Sequence, residues 1–200
     1  RLISNGKETK MSKRKGEYET LEDLIKEVGL DAARFFFLMY SPDTHMNFDL
    51  DLAKERSLKN PVYYAQYAAV RCNSILRKGN RGKGRVNFDL LNTKEDLNLM
   101  RSLARFPEII EEAAENYSPQ ILARYSLDLA REFHNFYEKE RVLEADKRGY
   151  IRIIEADSRG KSPHGSAYEV TVARLALIQT VLIVFKNIFN LLGISLPRKM

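Results

Sequence analysis

Asn60-Pro61-Val62-Tyr63-Tyr64-Ala65-Gln66-Tyr67-Ala68-Ala69 opens a long helical pattern, and its first two residues say where the helix starts. An asparagine side-chain oxygen can accept from an otherwise unpartnered first-turn amide. A proline at the first helical position loses nothing, because its missing N–H would have had no partner there. The pattern is expected to run toward Lys78 and to break in the glycine-rich stretch from Gly79 to Gly84, which reads as a mobile basic loop.

Working outward, the apolar residues keep a period near 3.6 almost everywhere, and strand evidence is thin. Upstream, Thr20 with Asp23 three residues on, the apolar set Leu21, Leu24, Ile25 and Val28, and a closing Gly29 spell a short capped helix. Asp31 is expected to cap the next helix, whose Phe35, Phe36, Phe37, Leu38 and Met39 are apolar on nearly every side and so expected to be buried. An irregular passage through Phe48–Asp51 leads to Asn60. Downstream, Thr93 restarts helix, Pro107 kinks or splits it, and Ser118 with Pro119 should cap the next, along which Leu122, Tyr125, Leu129, Phe133 and Phe136 mark one apolar stripe. From Glu144 to Tyr168 the pattern fails and suggests an extended excursion or hairpin ending in loop. A last apolar helix, about Val170 to Leu192, ends at Gly193 and is followed by a short basic tail to Met200. The expected fold class is therefore all-α: an antiparallel helical bundle over 60–200, preceded by a small helical module within 1–59.

Composition narrows the function. Lysine and arginine total 33 against 27 acids, a formal net charge of +6, which favours a polyanionic partner. Between Arg56 and Phe88 there is no acid, while Arg56, Lys59, Arg71, Arg77, Lys78, Arg81, Lys83 and Arg85 are basic. That local asymmetry suits nucleic-acid phosphates; a merely solvated loop is the competing reading. Tyr63, Tyr64 and Tyr67 interleave with Arg71 on one helix, so rings for stacking on unpaired bases sit beside a cation for phosphate. Three tyrosines so close cannot all face outward, and at least one is expected to be buried. The single cysteine, Cys72, allows no internal disulfide and no thiolate metal cluster, and reads as a small buried hydrophobe in a reducing, cytoplasmic setting. The apolar run between Arg174 and Lys186 is too short to span a bilayer, so no membrane is expected. His45, His134 and His164 read as packing or surface residues, and no metal site is expected.

The amino end carries the sharpest motif. Lys10-Met11-Ser12-Lys13-Arg14 lies in a stretch, Lys7 to Lys15, with five basic residues and one acid. Flexible lysines three apart, followed by the permissive Gly16, can close on a nucleotide triphosphate and follow charge as it moves. The string resembles the mobile signature loop of class I aminoacyl-tRNA synthetases, and the Arg14-Lys15-Gly16-Glu17 run is similar to the arginyl branch. Asp31–Met39, Phe48–Ala53, Asn60–Ala69, Tyr117-Ser118-Pro119, Phe136-Tyr137, Ala173–Leu177 and Leu191–Gly193 resemble arginyl-tRNA synthetase in the same order.

That resemblance implies a chain that begins at the signature loop of the catalytic domain and ends in the all-helical anticodon-binding domain. It implies ATP-dependent attachment of arginine to tRNA(Arg) by the whole protein, with ATP and Mg2+ held mainly by a preceding portion. Lys10 and Lys13 would be catalytic, Met11, Ser12 and Arg14 would complete the nucleotide-binding loop, and Tyr137 and Met200 would meet the anticodon. Tyr67 and Arg71 are further candidates for that RNA surface. No His-x-Gly-His pattern precedes the loop, so this chain by itself is expected not to catalyse, and Arg1 reads as the start of a continuing segment. A cytoplasmic monomer is expected. A freestanding RNA-binding module, a helical scaffold, or a fragment of the cysteinyl branch are the rival readings.

Overall fold

A computed structural model describes residues 1–4, 6–9, 20–79, 86–140, 142 and 166–200. The signature loop, the glycine-rich loop over 80–85 and most of the Glu144–Tyr168 stretch therefore lie outside the described residues.

Helix dominates. In the amino-terminal part, α1 (Leu21–Val28) carries the capping box expected from Thr20 and Asp23: the Asp23 amide donates to Thr20 Oγ1 at 3.1 Å and the Thr20 amide to Asp23 Oδ2 at 3.1 Å. Gly29 closes the helix at φ +86°, a conformation that costs glycine little. It also occupies the cap of α2 (Leu30–Leu38), so Asp31 does not cap; its carboxylate turns instead to Gln66 and Ser195. A small sheet unseen in the sequence joins this part: β1 (Leu2–Ser4) pairs antiparallel with β2 (Lys7–Thr9) and parallel with β3 (Phe48–Asp49). Strands of two or three residues are too short to show a period, which is why only tertiary pairing reveals them. Directly after β3, α3 (Leu50–Lys54) is capped by Asp49.

The bundle follows. α4 (Pro61–Lys78) starts where expected, the Asn60 side chain accepting from the Val62 amide while its Nδ2 donates to Ala53 and Glu55 carbonyls. After a short 3-10 turn (Phe88–Leu90) come α5 (Lys94–Ala104), boxed by Thr93 and Asp96, and α6 (Phe106–Glu115), which Pro107 separates from it. α7 (Gln120–Lys139) has Pro119 at its cap and no side-chain cap bond. Ser118 instead serves the end of α6: its amide reaches back to the Ala113 carbonyl at 2.8 Å across Tyr117, which sits at φ +50°. α8 (Ser166–Leu192) starts somewhat earlier than expected and ends in a Schellman turn, with Gly193 at φ +65° and the Ile194 amide on the Phe189 carbonyl at 2.8 Å.

The stripe on α7 is the centre of the main core. Leu129, Phe133 and Phe136 are fully buried, Leu122 and Tyr125 nearly so, and burying each such side chain contributes about 1.5–3 kcal/mol. α8 packs Leu175, Ile178, Val181, Phe185 and Ile188 into the same core. At 25 residues and mean hydropathy 1.8, Tyr168–Leu192 is long and apolar enough to cross a membrane, contrary to the shorter run read from sequence, but its most apolar window is 61% buried against other helices. A smaller core gathers Leu2, Leu24, Phe36, Phe48, Leu50 and Ala53. α2 serves both: Phe35 enters the large core and Phe36 the small one, one helical step apart. Phe37, a further step around, is 46% exposed rather than buried.

α8 runs antiparallel to α4, Gly79 lying against Leu175 and Gln66 against Ser195. α5 is antiparallel to α7, with Tyr125 bonded to the Ser102 carbonyl and Lys139 to Glu95. α4 and α7 run the same way, because α5 and α6 carry the chain back between them; Tyr64 meets His134 and Arg71 meets Tyr137. One buried polar cluster ties three helices: Arg174 of α8 donates to Asp96 of α5 at 3.3 Å and to Glu140 after α7.

A candidate nucleic-acid face on α4 and α7

α4 turns Ala65, Ala68, Ala69, Cys72 and Ile75 into the core, leaving Tyr63, Tyr64, Tyr67 and Arg71 on the side toward α7. None of the three tyrosines is fully buried; each is half-buried, because the row lies along the seam between two helices and not on the core axis. Across the seam stand His134 and Tyr137 of α7, three apart and hence on one face.

The rings form a continuous ledge. Tyr63 and Tyr67 are nearly parallel, centroids 6.4 Å apart at 9°. Tyr67 continues onto His134 at 5.8 Å and 27°, and Tyr64 meets the same imidazole at 5.1 Å and 46°. Phe133 backs both His134, at 5.6 Å, and Tyr137, at 6.1 Å. Arg71 completes the row: its guanidinium carbon lies 4.7 Å from the Tyr137 ring centroid, and Nη2 donates to the Tyr137 hydroxyl at 3.1 Å. Two of the sequence candidates, Arg71 and Tyr137, are thus in direct contact, and Tyr67 connects to them through His134 and the buried Phe133.

The electrostatics suit an uncharged, stackable surface beside a cation. Burial pushes the His134 pKa below the ordinary imidazole value; Arg71 lowers it further while Glu138 opposes. Its Nε2 is buried without a hydrogen-bond partner. Burial also raises the Tyr64 hydroxyl, so it stays protonated. Elsewhere, burial pushes Tyr125 up to about 12 and Cys72 well above the usual thiol range; the cysteine, fully buried, is the small hydrophobe expected.

His134 is the ledge member that sequence reading set aside as ordinary packing. Its spacing of three from Tyr137 was the available signal. Met200 is 43% exposed at the end of the chain, and no described contact links it to Tyr137. Lys10, Met11, Ser12, Lys13 and Arg14 lie outside the described residues. Near the Tyr63 end of the ledge, a cleft of about 410 Å3 opens between the α1–α2 turn and the start of α4, lined by Asp31, Arg56, Asn60, Tyr63 and Gln66 among others. Among the described residues, no three His, Cys, Asp or Glu side chains gather as metal ligands.

With this geometry in view, the likenesses are specific. The family described as DALR anticodon binding domain matches residues 65–156 and 164–200. The whole chain is 45% identical over 203 residues to an arginine–tRNA ligase of Listeria monocytogenes serotype 4b, and 43% identical over 205 residues to one of Geotalea daltonii. The chain spans 33% of the length of each. Among solved structures, it superposes on a Campylobacter jejuni protein assigned as an arginyl-tRNA synthetase with TM-score 0.74 and 26% identity, covering all of this chain and 39% of that one. The Thermus thermophilus arginyl-tRNA synthetase gives TM-score 0.64 at 28% identity, over 94% of this chain and 29% of that one. With two stretches of its bundle matched and its helices superposing on those of synthetases, the chain belongs to the DALR anticodon-binding domain family.

Proposed function

We propose that this chain is the C-terminal portion of an arginine–tRNA ligase, in which 60–200 holds the anticodon of tRNA(Arg) and 1–59 carries the end of the catalytic domain with its signature loop. The observation that carries the reading is the aromatic and guanidinium ledge of Tyr67, His134, Tyr137 and Arg71 on a chain of this family. A splayed base can stack on a neutral, half-buried ring or on the guanidinium plane that covers the Tyr137 ring, whose charge also meets the adjoining phosphate; such stacking contributes about 1–3 kcal/mol per base. Tyr137, Tyr67 and Arg71 take those roles, and Met200 supplies an apolar support from the tail.

In the whole enzyme, the arginine carboxylate attacks the α-phosphate of ATP and pyrophosphate leaves with growing negative charge. Lys13, with Lys10 beside it, meets that charge; Ser12 and Met11 shape the loop and Arg14 extends its positive field. Removing one preorganised cation from such a site costs about 2–4 kcal/mol, roughly a hundredfold or more in rate. Mg2+ would neutralise phosphate charge when bound with ATP; among the described residues of this chain no three His, Cys, Asp or Glu side chains gather around a common point. The enzyme works in the cytoplasm as a monomer.

Filter binding of the chain to tRNA(Arg) and to anticodon variants across a salt series tests the reading. Affinity should fall linearly with salt on logarithmic axes and should drop further for the altered anticodons. Equal binding to every RNA would leave only a generic basic domain.

A further inference from the structure

The segment after α8 is held by side chains far away in sequence. Asp31, in the first turn of α2, accepts from the Ser195 amide at 3.1 Å, from the Ser195 hydroxyl, and from Gln66 Nε2 at 2.9 Å. Gln66 donates also to the Ser195 carbonyl at 2.9 Å. One residue of the tail thus has its amide, hydroxyl and carbonyl all engaged. Two residues before Ser195, the carbonyl of the left-handed Gly193 accepts from Arg34, which lies one turn after Asp31 on α2. Gln66 lies one turn from Tyr63 on α4 and both line the same cleft, so the tail is pinned beside the Tyr63 end of the ring ledge.

We propose that Asp31, with Arg34 and Gln66, is a positioning clamp that sets where the last residues of the chain lie relative to the α4–α7 ledge, and thereby how well that ledge discriminates among RNA bases. The inference rests on the anticodon-binding role just given. Five residues follow Ser195 to the end at Met200, an extended reach of roughly 17 Å. A tail pinned at Ser195 sweeps a volume that includes the neighbouring ledge. Released there, it pivots from the end of α8 and spends less of its time over the rings. The clamp accepts charge-assisted hydrogen bonds on one carboxylate, so the loss of that charge weakens all three at once. In Asp31→Asn, either orientation of the new amide sets its NH2 against a donor, the Ser195 amide at one oxygen position or the Gln66 amide at the other.

The test uses the chain as it is, with Asp31→Asn, with the last four residues removed after Leu196, and with both changes. Binding to tRNA(Arg) and to one anticodon variant gives a discrimination ratio for each. The clamp predicts that either change lowers the ratio by about tenfold, and that the double variant is no worse than the truncation alone. A ratio left intact by Asp31→Asn, or effects that multiply, would overturn it. Amide exchange supplies an independent readout: Ser195 and Leu196 should exchange faster in Asp31→Asn while α7 keeps its protection, and unchanged tail exchange would overturn the clamp. Should the unaltered chain show no discrimination, the anticodon-binding role falls and takes the selectivity claim with it, whereas exchange still decides whether the clamp holds the tail.

Discussion

At the scale of single residues, the ledge depends on which groups stay neutral. His134 has its folded pKa below the unhindered value of 6.5, chiefly through burial. The unfolded chain therefore takes up a proton first as pH falls through about 6.5, and folding stability is lost with acid until the folded imidazole protonates as well. The denaturant midpoint should fall more steeply between pH 7 and pH 5 for the native chain than for His134→Gln; identical slopes would show that the imidazole is not desolvated in the fold. Tyr67 and Arg71 were named in the sequence because aromatic and basic types interleave on one helix, whereas Tyr137 was named only from what the resemblance of its segment implies. His134 was marked only by its spacing of three from Tyr137, which says nothing of its partners Tyr64 and Tyr67 on another helix. Asp31 was misread as a cap for the same reason: its three donors come from α4 and from beyond α8.

At the scale of elements, two helix ends show how local chemistry sets boundaries. Both α6 and α8 finish in Schellman turns, one through Gly193 and one through Tyr117, which is 90% exposed and holds φ +50°. A non-glycine residue in that region is strained by roughly 1–2 kcal/mol. Thermal or denaturant melting should show Tyr117→Gly to be more stable by about 0.5–1 kcal/mol, after the extra entropy that glycine gives the unfolded chain. Gly193→Ala should do the reverse by at least ~1 kcal/mol, because the added methyl also meets the Arg34 side chain. Caps and breakers were legible at Thr20, Asn60, Thr93 and Pro107, but not at Asp49, whose five-residue helix is too short to show a period, nor at Ser118, which closes α6 instead. The strands were not, since their partners are brought together only by the fold.

At the scale of the whole molecule, α7 is the element against which the others are arranged, with its stripe in the core and its flank in the ledge. The α5–α7–α8 cluster of Asp96, Arg174 and Glu140 fixes the far side of that arrangement. Asp96 is fully buried and also accepts from the Thr93 amide at 3.2 Å. Asp96→Ala should therefore destabilise the chain by roughly 3–5 kcal/mol in denaturant melts, and a loss under 1 kcal/mol would mean that Arg174 is satisfied without Asp96. The bundle itself was foreseeable, because amphipathic helices with written caps must pack on one another. Which helices are neighbours was not, for the seam between α4 and α7 depends on α5 and α6 carrying the chain back. The most direct measurement is the affinity of the chain and of its Tyr137→Ala variant for tRNA(Arg) and for an anticodon-substituted tRNA at one salt concentration. The variant should lose about 1–3 kcal/mol toward tRNA(Arg) and little toward the substituted RNA, drawing the two affinities together. Discrimination undiminished in Tyr137→Ala would contradict the reading of the α4–α7 ledge as the surface that holds the anticodon.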